Sequence, residues 1–175
     1  MRAAVQTGYG SSEVIELREL ETPRPEAGKV LVRVHAASLA AGDRFMMRGT
    51  PFPARFSIGF PRPKKDHVVG LDFAGVIEAV GTGVTGFQPG DAVYGECLGS
   101  CAEYARARTD RIAHMPHTMT FEQASGVPTS ACTALQGLRD QAKVRPGQHV
   151  LVNGASGGVG PFAVQIAHAL GAEVT

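Results

Sequence analysis

Four glycines crowd the segment Gly154–Gly160, and residues of this type at this spacing can bind a phosphate group. Glycine lets the backbone approach an anion closely, and the first turn of a following helix offers unpaired N–H groups and a positive dipole end. A tight turn between a strand and a helix, with no ligand, is the alternative explanation of the same residues. The candidate cofactor-binding residues are Ala155, Ser156, Gly157, Gly158, Val159 and Gly160.

The residues on either side of these glycines predict the elements that would position them. Val150–Val152 is a short apolar run of the kind found in buried parallel strands, and a helix is expected over 161–170. Gly171 stands where a helix ends, and Glu173–Thr175 resembles the start of a second strand. The residue that separates NAD from NADP lies about 20 residues past the glycines, beyond the end of this sequence. The sequence therefore does not decide between the two cofactors.

The longer stretch ahead of these elements predicts short strands separated by turns. Glycine and proline, which favour turns, number 22 and 11 in the chain. The predicted strands are Val30–Ala36, Gly75–Gly81, Ala92–Gly95, Cys101–Ala105 and Arg111–Pro116. Short strands at this spacing favour an all-β barrel or sandwich. The pattern changes near Thr120, with a helix start predicted at Thr120–Gln123 and helix over Ala131–Leu138.

Composition and charge exclude several classes of partner. The net charge of +1 provides no field that would attract nucleic acid or an anionic membrane. No apolar run approaches the roughly 18 residues that a bilayer-spanning helix needs. Three cysteines do not suggest a disulfide framework. We therefore expect a cytoplasmic protein in a reducing compartment, with neither a nucleic acid nor a membrane as partner.

Two segments together resemble the medium-chain dehydrogenase/reductase superfamily. Gly70–Gly81 followed by Phe87–Val93 is similar to the barrel signature of that superfamily, and Val152–Gly160 with Gln165–Ala167 is similar to its cofactor loop and helix. The resemblance implies a mixed β and α/β fold. A GroES-like β-barrel substrate domain would occupy residues 1–122. Linking helices and the first βαβ half of an incomplete Rossmann domain would occupy 123–175, with the cofactor cleft between the two.

The residues that bind zinc in the alcohol dehydrogenases of this superfamily are absent. Ala41-Gly42-Asp43 stands where those enzymes have a cysteine just before the aspartate, and Gly70-Leu71-Asp72 stands where they have a His-Glu pair after the glycine. His67 falls outside the register of that motif, and Cys97 and Cys101 form a lone pair for which ordinary thiols are the favoured interpretation. The pattern resembles the zinc-independent quinone oxidoreductase branch, which implies no zinc and hydride transfer from NADP(H), favoured over NAD(H), to a quinone, enone or enal.

The expected substrate pocket lies in the segment Ser38–Gly49. Ala40 and Phe45 stand where the quinone reductase pattern has an asparagine and a tyrosine, so the resemblance implies an apolar pocket. The candidate catalytic pocket residues are Asp43, Phe45 and Arg48. Asp43 has a structural alternative, which is to cap a turn after Gly42.

Thr133 matches a threonine that approaches the nicotinamide side of the cofactor in this superfamily. The alternative is a buried helix threonine bonded to its own backbone.

Three interpretations of the whole chain stay open at this stage. In the first and favoured one, the chain is the N-terminal part of an NAD(P)H-dependent oxidoreductase. In the second it is an enzyme completed by oligomerisation, and in the third a non-catalytic barrel module with a vestigial cofactor loop. Alcohol dehydrogenase activity of the parent protein is a further alternative. A lone strand and helix leave apolar surface uncovered, so we expect a homo-oligomer or association with the rest of the Rossmann domain.

Overall fold

The first compact unit of the chain, Met1–Gly126, is built around an antiparallel sheet. A computed structural model describes residues 1–175 apart from the side chain of Ser57. The strands of this unit are β1 (Arg2–Gln6), β2 (Ile15–Glu19), β3 (Lys29–Ser38), β4 (Asp72–Val80), β5 (Ala92–Glu96), β6 (Tyr104–Arg108) and β7 (Ile112–His114). β1 and β2 pair with each other, while the other five form one sheet in the order β6-β3-β4-β5-β7. Single bridges from Ala3 to Ala102 and from Val5 to Val68 connect β1 to loops of the larger sheet.

One face of the five-stranded sheet forms the core, because side chains alternate between faces along a strand. Val30 and Val32 on β3 and Phe73 and Ile77 on β4 are almost fully buried there. Burying a side chain of this size contributes about 1.5–3 kcal/mol. Half-buried Cys97 packs against this cluster.

The predicted strands match β3, β4, β5 and β7, but the prediction for Cys101–Ala105 is wrong by about three residues. The strand found there is β6, and it pairs with Lys29–Arg33 of β3. Ala105 and Ala107 are buried while Arg106 and Arg108 are exposed, so small residues face the core and charges face solvent. A strand of alternating Ala and Arg lacks the β-branched residues that make a strand recognisable in sequence.

The helices of the first unit are α1 (Ala41–Arg48), α2 (Arg55–Ile58) and α3 (Phe121–Ser125). The predicted helix start at Thr120 is confirmed. The Thr120 hydroxyl accepts the Gln123 N–H at 3.3 Å, and the Gln123 side chain accepts the Thr120 N–H at 3.0 Å. This reciprocal pair is a capping box. Phe121 stacks on His35 of β3 at 4.4 Å between ring centroids. α3 packs on this sheet, and the first compact unit runs to Gly126.

The second unit, Val127–Thr175, contains helices around a pair of parallel strands. Its elements are α4 (Pro128–Leu135), a π-helical segment (Gln136–Gln141), β8 (His149–Val150), α5 (Gly160–Ala169) and β9 (Glu173–Val174). The predicted order of strand, glycine turn, helix and strand is confirmed, and Gly171 ends the helix at φ 82°. Expected burial of Val150–Val152 is wrong in part, because Leu151 is 77% exposed. Leu151 directly follows β8 in the chain.

Candidate cofactor loop and substrate residues

Gly160 is required by a close backbone approach at the start of α5. A Cβ built on this residue would lie 2.5 Å from the carbonyl oxygen of Ala155 and 2.6 Å from its carbonyl carbon. The loop also turns tightly at Gly154, whose φ is 79°, and the Gly157 N–H donates to the Gly154 carbonyl at 3.0 Å. The glycines at 154 and 160 therefore fold the loop back against the helix N-terminus.

Gly157 and Gly158 have no such packing reason to be glycine. A Cβ at Gly157 would meet the nearest atom at 3.4 Å, and one at Gly158 would meet the Ser130 hydroxyl oxygen at 3.6 Å, both within ordinary van der Waals contact. Residues 154–159 are exposed. Two glycines that the fold does not require leave the backbone open to a ligand, which is the arrangement that a pyrophosphate needs.

The helix that follows this loop can attract an anion. α5 is ten residues long, has Pro161 in its first turn and carries no acidic residue there. Its N-terminal N–H groups and dipole therefore face the loop without a competing carboxylate. The six candidate residues of the loop, Ala155–Gly160, are brought together around this helix end.

Thr133 lies on α4 and bonds to its own helix. Its hydroxyl donates to the carbonyl of Thr129 at 2.7 Å, as the structural alternative expects, but the residue is exposed rather than buried. Exposure leaves the lone pairs of the hydroxyl oxygen available as acceptors. The same helix carries Ser130, whose hydroxyl lies close to Gly158. α4 therefore borders the glycine loop.

Asp43 is buried in the first turn of α1, with 8% of its surface exposed. One carboxylate oxygen, Oδ2, accepts the backbone N–H of Ala40 at 2.7 Å and so caps the helix. The other, Oδ1, is buried without a hydrogen-bond partner in the structure. Asp43 lines a cavity of about 10 Å³ together with Gln6 and His67.

The structure does not bring the three candidate pocket residues together. Phe45 is 56% exposed and Arg48 is also exposed, whereas Asp43 is buried on the same helix. Phe45 and Arg48 line neither the cavity beside Asp43 nor the larger cavity of this unit described below. The periodicity of α1 explains the separation, because residues two apart on a helix point in different directions.

The thiols of Cys97 and Cys101 and the imidazole of His67 are held in their neutral forms. Burial, with a smaller effect from the Asp72 carboxylate, raises the pKa of Cys97 to about 12. Burial and then Asp43 raise the pKa of Cys101, and burial and then Lys64 lower the pKa of His67. Among the described residues no group of three His, Cys, Asp or Glu side chains could hold a metal ion.

A larger cavity, which the sequence did not indicate, lies elsewhere in the first unit. Its volume is about 660 Å³, and none of the candidate residues lines it. Several of its cations are paired, as Arg111 is with Glu96, Lys29 with Glu26 and Arg108 with Asp110. The alternation of Arg and Ala in β6 is a sequence signal that could have pointed to this surface.

No described helix has both the length and the apolar character needed to cross a bilayer.

Comparison with known proteins identifies the family. Residues 26–137 match the alcohol dehydrogenase GroES-like domain, and because this match covers more than half of the sequence, the chain belongs to that family. The chain is similar to a quinone oxidoreductase of Sus scrofa, with 36% identity over 95% of this chain and 49% of that protein. It is also similar to an acryloyl-coenzyme A reductase of Metallosphaera sedula, with 34% identity over 99% of this chain and 57% of that protein.

A solved structure shares the fold. The quinone oxidoreductase of Escherichia coli complexed with NADPH superposes with a TM-score of 0.86, at 27% identity, over 99% of this chain and 51% of that one. The chain thus spans about half the length of the relatives it matches. The resemblance to the medium-chain superfamily and to quinone oxidoreductases is confirmed, as is the predicted fold class of a GroES-like domain followed by the start of an α/β domain.

Proposed function

We propose that the chain is the N-terminal part of a zinc-independent, NADP(H)-dependent oxidoreductase that transfers hydride to a quinone or an activated alkene. The glycine loop carries this proposal. Its two outer glycines are needed for the fold, while Gly157 and Gly158 leave exposed backbone directly ahead of α5. Relatives named as a quinone oxidoreductase and an acryloyl-coenzyme A reductase favour the two substrate classes.

In this proposal Ala155–Gly160 hold the cofactor pyrophosphate through backbone N–H groups and the N-terminus of α5. Thr133 contributes its hydroxyl oxygen near the nicotinamide. The cofactor, when bound, supplies the hydride. We assign no residue as a general acid, since solvent can protonate the product.

NADP(H) is favoured over NAD(H) because the Escherichia coli relative is described in complex with NADPH.

Zinc independence follows from the chemistry of the donors. A catalytic zinc needs three protein ligands, and two that the alcohol dehydrogenases use are missing from Ala41-Gly42-Asp43 and Gly70-Leu71-Asp72. Burial raises the pKa values of the nearby Cys97 and Cys101 thiols, so forming the thiolates that bind zinc costs free energy at neutral pH.

The substrate side is assigned to residues 1–122, with Asp43, Phe45 and Arg48 on α1. Of these, Phe45 offers an exposed apolar surface and Arg48 an exposed cation, while Asp43 fixes the start of the helix that carries both. A pocket without the usual asparagine and tyrosine binds substrate mainly through apolar contact, so it accepts quinones, enones and enals alike.

The same proposal places the protein in the cytoplasm, where free cysteines stay reduced, and all three cysteines are free thiols. The exposed Leu151 is proposed to be covered by the remaining strands of the α/β domain or by a second copy.

The test is the oxidation of NADPH with a quinone and, separately, with an enone, followed at the nicotinamide absorbance. It is made on the full-length gene product and on the 175-residue chain. We expect the full-length protein to consume NADPH faster than NADH and to be unaffected by a zinc chelator. Turnover abolished by the chelator would contradict zinc independence, and no turnover with either acceptor would contradict the reaction class.

A further inference from the structure

Ser130 lies in the first turn of α4 and faces the glycine loop. α4 packs against α5 within the second unit, so both helices border this loop. A Cβ built on Gly158 would lie 3.6 Å from the Ser130 hydroxyl oxygen. That oxygen is the only atom outside residues 157–159 that the structure places within 4 Å of this position. The hydroxyl therefore faces the space that Gly158 leaves open by having no side chain.

The proton of the Ser130 hydroxyl is free to be donated to a ligand. Serine and threonine side chains in helices commonly bond back to a carbonyl of the preceding turn. Ser125 donates in this way to the Glu122 carbonyl at 3.0 Å, and Thr133 donates to the Thr129 carbonyl at 2.7 Å. Ser130, which is half-buried, forms no hydrogen bond with any other residue that the structure describes.

Ser130 and Thr133 present two different hydrogen-bonding groups on one face of α4. Residues three apart on a helix are neighbours, with about 5–6 Å between their Cβ atoms. The Thr133 hydroxyl gives its single proton to Thr129, so it can only accept a hydrogen bond from a ligand. The Ser130 hydroxyl can donate one. The pair therefore offers a donor near Gly158 and an acceptor one turn further along α4.

No carboxylate opposes an anion at this place. Neither α4 nor α5 has an acidic residue in its first turn. Ser130 also lies near the N-terminus of α4, where the helix dipole favours negative charge. An anion beside Gly158 would therefore be bound by neutral N–H and O–H donors without a repelling charge on either helix end.

We propose that the Ser130 hydroxyl donates a hydrogen bond to the pyrophosphate of the nicotinamide cofactor. This inference rests on the proposed function and adds a side-chain donor to the backbone N–H groups of Ala155–Gly160. An anion that enters the open space beside Gly158 contacts the loop backbone and the Ser130 hydroxyl together. Thr133, as an acceptor, suits the amide N–H of the nicotinamide. The two hydroxyls thus set the direction in which the cofactor lies along α4.

A purely structural role explains Ser130 less well. A serine that stabilised the start of α4 would use its hydroxyl to cap backbone groups of the first turn. No side chain caps α4, and the distance from Ser130 to Gly158 is an ordinary van der Waals contact. Neither the helix nor the packing against the loop therefore requires a hydroxyl at this position.

The test is a titration of NADPH with the full-length gene product, followed by nicotinamide fluorescence. Ser130→Ala should weaken NADPH binding about tenfold, as expected for the loss of a hydrogen bond to a charged group. Inorganic pyrophosphate, added as a competitor, should lose affinity for the variant by about the same factor, because the hydroxyl contacts this part of the cofactor.

Ser130→Asp separates an effect on binding from an effect on folding. A carboxylate in the first turn of a helix is stabilising, so this variant should unfold at a urea concentration no lower than that of the wild type. It should nevertheless bind NADPH about tenfold more weakly than Ser130→Ala, since its charge repels the pyrophosphate. A serine with only a structural role predicts the opposite, with binding preserved in the more stable variant.

The matched control is Cys132→Ala, which also removes one heavy atom from α4. Cys132 is exposed and lies two residues from Ser130, so it points in a different direction, and this variant should bind NADPH as the wild type does. Three results would overturn the assignment of Ser130 and leave the proposed function standing. They are wild-type affinity in Ser130→Ala or Ser130→Asp, a loss for NADPH without a loss for pyrophosphate, and an equal loss in Cys132→Ala. No binding of NADPH by the wild-type protein would overturn both.

Discussion

Replacing Gly160 with alanine tests whether the glycine loop is folded back on α5 as described. The new Cβ would lie 2.5 Å from the Ala155 carbonyl oxygen, about 0.9 Å inside the 3.4 Å at which ordinary contact begins. The atoms it meets belong to the backbone, so no side chain can rotate away. Overpacking of this kind costs about 1–3 kcal/mol. Alanine recovers up to about 1 kcal/mol of helix propensity relative to glycine. The net loss of stability should be about 1–2 kcal/mol.

Gly158→Ala is the matched control, because its Cβ would meet only the Ser130 hydroxyl oxygen at 3.6 Å. Urea unfolding followed by far-ultraviolet circular dichroism gives the free energy of unfolding of each variant. We expect Gly158→Ala to unfold at the wild-type midpoint and Gly160→Ala at a lower urea concentration. Equal stability of Gly160→Ala and wild type would refute the close approach, and a large loss in Gly158→Ala would refute the open space around that residue.

Three further outcomes are expected. Asp43→Ala should lower the free energy of unfolding by about 1 kcal/mol in the same assay, since it removes the helix cap. Asp43→Asn keeps a hydrogen-bond acceptor and should cost less. Equal losses of stability in the two variants would contradict the capping role. A maleimide added to native protein at pH 8 should label exposed Cys132 long before half-buried Cys97, because burial raises the pKa of Cys97 to about 12. Peptide mass spectrometry that finds Cys97 labelled first would contradict this. Because burial lowers the pKa of His67, the folded state binds fewer protons than the unfolded state. Stability should therefore fall as pH drops below 6.5, and thermal melts of His67→Gln that fall just as steeply would exclude His67 as the cause.

The parts of the fold that the sequence predicted are those with a strong local signal. β-branched alternation located β3, and the Thr120–Gln123 spacing located a capping box. β1 and β2 were not predicted from the sequence, because each is a short strand that pairs with the other, and most of β2 is exposed. Such strands are fixed by their partners rather than by their own composition. The shift of β6 to Tyr104–Arg108 has the same origin.

The residues of the candidate site also differ in how well the sequence predicted them. Gly160 could be predicted because a close backbone approach permits only one residue type. The separation of buried Asp43 from exposed Phe45 could not be predicted, because assigning a stretch of sequence to a pocket does not say which face of the helix each residue occupies. Ser130 was also missed, because it is far from the glycines in the sequence and a serine is ordinarily a surface residue.

The central claim, that Ala155–Gly160 bind a nicotinamide cofactor, is tested most directly by titrating NADPH with this chain and following nicotinamide fluorescence. The protein has no tryptophan, so its own emission does not interfere with the signal. We expect a saturable change that is weakened in Gly158→Ala, whose methyl group occupies the open space of the loop without unfolding it. No saturable change at protein concentrations up to about 1 mM, the weak limit of specific binding, would contradict the claim for this chain.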